Sequence, residues 1–105
     1  MKGALGQIMR QAQQAQEAMK RVQEEIARAE ITGESGGGMV KITLNGKHEA
    51  KKVEIAPDAL QESKDFLEDL VAAAINDAAQ KLERNAQEKM AKVTGGLNLP
   101  AGFGL

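Results

Sequence analysis

Apolar residues recur along this chain with two different periods, and the change of period outlines the architecture. Leu5, Ile8, Ala12, Ala15, Met19, Val22, Ile26 and Ala29 follow one another in alternating steps of three and four. That spacing predicts one long amphipathic helix ending near Glu30. Gln7, Gln11, Gln13, Gln14, Gln16 and Gln23 occupy much of its polar side, and Gln is a good helix former. Some 25 residues at about 1.5 Å each reach about 38 Å. A small sheet cannot cover a seam of that length, so a second long helix must, from the same chain or from another copy.

Beyond Ile31-Thr32 and the glycines at 33 and 36–38 the period becomes two: Val40, Ile42 and Leu44 alternate with Lys41 and Thr43, the signature of a half-buried strand. Asn45-Gly46 then predicts a two-residue hairpin, because both types tolerate positive φ. That turn sets Leu44 opposite Lys47, Ile42 opposite Glu49 and Val40 opposite Lys51, with a second strand over about 47–55. Val53 and Ile55 then share the face of Val40 and Ile42. Residues 29–35 are expected to add a third strand on the other side of 39–44. Pro57 ends the sheet, since it has no N–H to donate, and Pro57–Leu60 reads as a single helical turn or a bend.

A second long helix is expected from Ser63, a suitable N-cap, with Asp65, Glu68 and Asp69 in its early turns. Leu67, Val71, Ala74, Ala78, Leu82, Ala86, Met90 and Val93 keep helical spacing up to Gly95-Gly96. Leu70 to Ile75 (LVAAAI) is apolar on all sides, which asks for cover all round. In so short a chain a second subunit is the natural cover. Residues 97–105 carry no period and read as a mobile tail. The fold class is therefore α+β: long helix, three-stranded antiparallel sheet, long helix, in one domain over 1–96, with a tail over 97–105.

Composition narrows the chemistry. The 105 residues contain no Cys, Trp or Tyr, one His and two Phe. Disulfides, thiolate chemistry and Cys-ligated zinc are excluded, as is a multi-His metal site within one subunit. Too few aromatics exist for a single-strand stacking platform. No apolar run is long enough to span a membrane and no signal peptide is visible, so a soluble cytoplasmic protein is expected. The net charge of −1 is unevenly spread: residues 58–80 hold one basic and six acidic groups, residues 81–105 four and two. That total argues against strong nucleic-acid binding unless a local basic patch exists.

Catalytic constellations are missing from the sequence. His48 with Ser35 or Ser63 is the only candidate for nucleophile chemistry, and His48 reads as an exposed hairpin residue. Neighbouring carboxylates such as Glu24/Glu25 and Glu68/Asp69 do not converge on one point of a helix. Gly33 and Gly38 have the separation of a phosphate loop, but Met39-Val40 stand where Lys and Ser/Thr are needed and a strand follows. No catalytic residue, metal site, cofactor or small-molecule substrate is expected. Arg10, Lys20, Arg21 and Arg28 on the first helix and Lys81, Arg84, Lys89 and Lys92 on the second remain. Charge alone reads them as solvated surface. A dimer would double each patch.

Five segments, MRQAQQAQ at 9–16, TGESGGGMVKITLNG at 32–46, KKVEIAP at 51–57, LEDLVAAAINDAAQK at 67–81 and GLNLPAGF at 96–103, resemble the YbaB/EbfC nucleoid-associated proteins in order and separation. The resemblance implies an α–β–α homodimer whose long helices project like tweezer arms. It further implies a small bacterial cytoplasmic protein of the nucleoid that binds double-stranded DNA and has no known enzymatic activity. The dimer centre would draw on the sheet and parts of the helices, here Val40, Ile42, Leu70, Val71, Ala74, Ile75 and Ala78. The DNA surface would involve the eight arm cations just named. The alternative is an adaptor that recruits a DNA-processing protein partner through the helical seam and the acidic block, with DNA contact secondary.

Overall fold

The structure is a computed structural model that describes residues 2–96, so the tail expected at 97–105 lies outside the described residues. Helix α1 (Lys2–Arg28) leads into strand β1 (Glu30–Ser35). A short 3₁₀ turn over Gly36–Gly38 is followed by β2 (Val40–Asn45) and β3 (Ala50–Ile55). A second 3₁₀ turn, Pro57–Gln61, precedes helix α2 (Lys64–Gly96). The long helix, antiparallel sheet and long helix are as the periodicity predicts, with strand order β1-β2-β3. Ser63 caps α2: its hydroxyl accepts the Phe66 N–H at 3.1 Å.

The hairpin differs from the expected one. Val40 pairs with Ile55, Ile42 with Val53 and Leu44 with Ala50, across a bulge at Thr43/Leu44. The loop is Gly46–His48, closed by the Asn45 N–H to the Glu49 carbonyl at 3.0 Å and the His48 N–H to the Asn45 carbonyl at 2.9 Å. His48, not Gly46, takes the left-handed position, at φ 65°. Asn45 pins the loop from its flank: its Oδ1 accepts the N–H groups of Lys47 and Glu49, and its Nδ2 donates to Glu49 Oε1. Gly46 is needed for closeness instead, because a Cβ there would strike the backbone of Ile26 and Ala27 at the end of α1. The parity expected for Val53 and Ile55 survives the register change, since both oppose β2 residues of the core face.

The core is Val40, Ile42 and Leu44 from β2 and Leu70, Ala74, Ala78 and Leu82 from α2, with Ala59 from the second 3₁₀ turn. Helix α2 crosses β1 and β2 and leaves β3 bare: every β3 residue is exposed. Gly33, within the span expected for the third strand, sits in the middle of β1, where its missing side chain lets the strand rest on the α2 backbone at Ala74 and Ala78. The true turn residues are Gly36, Gly37 and Gly38, all at positive φ.

Candidate nucleic-acid interface

Three contacts set the course of α2 over the sheet. The Ser35 hydroxyl donates to the Leu70 carbonyl at 2.6 Å, Gly33 abuts Ala74 and Ala78, and the Glu34 N–H donates to Asp77 Oδ2 at 2.9 Å. So α2 runs from the end of β1 toward its beginning. That is where α1 arrives, and Leu82 and Ala86 meet Ile26, Gly46 and His48 around a groove of about 500 Å³. Beyond it the two helices leave the sheet side by side and antiparallel. Half-buried positions continue to Thr94 on α2 and back to Ala15 on α1. Residues nearer the start of α1 have no such cover: Leu5 is 61%, Ile8 61% and Met9 64% exposed. The result is a rod of 74 × 25 × 16 Å.

The cations distribute unequally on this arm. Arg10, Arg21 and Arg28 are exposed and, at about 100° per residue, fall on one stripe of α1, while Lys20 points about a quarter-turn away. On α2, Arg84 and Lys92 are exposed and Lys89 is half-buried. Lys81 is engaged: its ammonium pairs with Asp77 at 2.9 Å. That pair, followed by the Glu34 N–H, holds the Asp77 carboxyl below its ordinary range. Lys81 therefore helps fasten α2 to the outer edge of β1. The Glu49 carboxyl is likewise lowered, first by the Asn45 amide and then by Lys51. Both carboxylates hold structure together, and neither is raised as a general acid would be. Among the described residues no group of three His, Asp or Glu could hold a metal ion. Among them, too, no helix is long and apolar enough to cross a membrane.

Of the seven residues expected at a dimer centre, Val40, Ile42, Leu70, Ala74 and Ala78 are buried in the protomer's own core. The LVAAAI segment is covered by β1 and β2 on that side, so a charge at Ala74 would report on folding and not on assembly. Val71 is half-buried against the core, and Ile75 is 41% exposed. Ile75 lies about 160° around α2 from Asp77, on the flank away from β1. There Val53 is 54% and Ile55 38% exposed, both on the α2 side of the sheet. Val53 and Ile55 were readable as strand residues of the core face, but their bareness depends on α2 stopping short of β3, which no periodicity encodes.

Comparison with known proteins adds two findings. The profile of a family described as the YbaB/EbfC DNA-binding family matches residues 1–97. A crystal structure of the uncharacterized protein HP0035 from Helicobacter pylori is similar at TM-score 0.65 and 24% identity, over 87% of this chain and 94% of that one. At that identity the likeness establishes the α-β-α fold alone.

Proposed function

The chain belongs to the YbaB/EbfC DNA-binding family, a nucleoid-associated family not known for enzymatic activity, and from that premise we propose that it binds double-stranded DNA as a homodimer in the bacterial nucleoid. The observation that carries the reading is the two-helix arm, which presents exposed Arg and Lys side chains clear of the sheet. Such groups neutralise phosphates without reading bases, so binding is backbone-driven and depends steeply on salt. The exposed apolar face of Val53, Ile55 and Ile75 supports dimerisation. A second copy offers the same face, so one two-fold contact covers both.

Two measurements test the proposal. Fluorescence anisotropy with a short duplex should give binding at about 50 mM salt that weakens by orders of magnitude toward about 200 mM. Sedimentation should give a dimer, and Val53→Glu should shift it toward monomer, because a charge on that face would be buried without a partner. No binding at the lower salt removes the DNA reading. A Val53→Glu dimer of unchanged strength removes the interface.

A further inference from the structure

Helix α1 is longer than the cover that α2 gives it. Ile26 shares a groove with Leu82 and Ala86, which sets the register of the antiparallel pair. Fourteen steps outward from Leu82, or ten from Ala86, reach Gly96, and the same steps back from Ile26 reach Ala12 or Gln16. Since α2 ends at Gly96, α1 runs on alone from that level. Burial changes at the same place: Ala15 is half-buried, and every residue from Gly3 to Gln14 is exposed. The apolar spacing does not stop there. Leu5, Ile8 and Ala12 continue the three-four steps of the paired stretch. Leu5, Ile8 and Met9 are 61%, 61% and 64% exposed. Side chains at i, i+3 and i+4 adjoin on a helix surface, and a contiguous apolar patch of that kind marks an interaction site.

The chain itself supplies an occupant. Residues 97–105 follow Gly96 at the level where the cover ends. Their composition suits packing better than solvation: Leu97, Leu99, Ala101, Phe103 and Leu105 stand among nine residues with no charged side chain. They have no helical period, and Pro100 disfavours helix at Leu99. Taken as an extended chain, however, they alternate in twos. The five apolar residues then share one side, and Asn98, Pro100, Gly102 and Gly104 share the other. The reach is sufficient: Ala12 to Leu5 is about 10 Å along α1, and five extended residues span about 16 Å. Alternate residues of an extended chain lie about 6.6 Å apart, close to the rise of about 6 Å between Ala12 and Ile8. Leu97 and Leu99 can therefore meet successive positions of the stripe.

We propose that residues 97–105 dock, extended, on the Leu5, Ile8 and Met9 stripe of their own chain and carry the cover of α1 beyond the end of α2. This replaces the mobile tail that the missing helical period suggests. Tethering selects the occupant: joined at Gly96, the segment faces the stripe at an effective concentration of about millimolar, which a second copy at micromolar concentration does not match. Docking gives the projecting arm two layers toward its outer end and takes three exposed apolar side chains out of water. The inference does not depend on DNA binding.

The test uses the full chain, which has no cysteine, so introduced thiols report this contact alone. Under mild oxidation Ile8→Cys/Leu99→Cys should close a disulfide within one chain several-fold faster than Gln7→Cys/Leu99→Cys. Gln7 lies at nearly the same height but about 100° around the helix from Ile8, on the side away from Met9. Amide relaxation of the cysteine-free protein should give Ala101 an order parameter above ~0.6, and Leu5→Gln/Ile8→Gln/Met9→Gln should bring it below ~0.6. Gln forms helix well, so that variant removes the apolar stripe and keeps α1. Equal closure of the two thiol pairs, or an Ala101 order parameter below ~0.6 in the unmodified chain, overturns the docking. A covalent pair of chains in place of the closed single chain, forming faster at higher protein concentration, puts a second copy on the stripe and overturns the assignment to the chain's own segment.

Discussion

Substituting Gly33 with Ala sets strand propensity directly against packing. Glycine inside a strand is entropically unfavourable, and Gly→Ala at a compatible φ stabilises by about 0.4–1 kcal/mol through the unfolded chain. Gly33 has no positive φ, so the backbone accepts Ala. The space does not. A Cβ would lie 2.5 Å from the Ala74 carbonyl oxygen and 2.6 Å from Ala78 Cα, closer still to the Ala78 nitrogen. All three obstacles are α2 backbone, which cannot rotate away as a side chain can. Restoring contacts of 3.4–4 Å requires the helix to back off the sheet by about 1 Å. That loosens Leu70, Ala74, Ala78 and Leu82 against Val40 and Ile42 together. Overpacking of this kind costs about 1–3 kcal/mol, and an obstacle of main chain belongs at the upper end. Net destabilisation of about 2 kcal/mol should lower Tm by about 8–16 °C for a domain of this size. Thermal unfolding at one fixed protein concentration measures it, since assembly makes Tm concentration-dependent. Gly3→Ala is the control: nothing lies within 4 Å of its Cβ, and it sits in the exposed first turn of α1, so stability should stay within about 0.5 kcal/mol of the parent. A Gly33→Ala protein as stable as the parent would mean that β1 and α2 do not touch there.

Two further outcomes follow from the hydrogen bonds. Asn45→Ala removes three side-chain bonds from the β2–β3 loop and should cost about 1–3 kcal/mol in denaturant unfolding; weakened β2–β3 pairing would be read by amide hydrogen exchange at Glu49. The Asp77 carboxyl is held below its ordinary range in the folded state by Lys81 and the Glu34 N–H, so its contribution is complete above the unfolded value and disappears as pH falls through the lower folded value. Acid unfolding followed from about pH 5 downward should therefore lose part of its slope below about pH 4 in Asp77→Asn, and an unchanged profile would mean that Asp77 does not tie α2 to β1.

Much of this architecture is present in local pattern. The three-four steps from Leu5 to Ala29 make α1 amphipathic, the alternation at 40–44 makes β2 a half-buried strand, and Ser63 makes an N-cap, because each rests on neighbours in the chain. The hairpin loop departs from its local pattern for a physical reason: Gly46 is taken up by its approach to Ile26, so the left-handed position moves to His48. Gly33 lies in the expected third strand, but no local pattern says that its missing side chain serves the contact with α2. The apolar LVAAAI segment does signal burial, but its pattern cannot apportion that burial between the chain's own sheet and another molecule.

What the linear order of residues determined by itself is the set of elements, the reach of the two helices and the uneven spread of charge, because periodicity and composition are properties of the chain. Which apolar residues are spent inside the protomer and which are left bare on β3 and Ile75 were decided only when α2 settled across β1 and β2 and ran back beside α1. Those outcomes depend on contacts between residues some 40 or more apart, such as Glu34 with Asp77, and no window along the chain contains both partners.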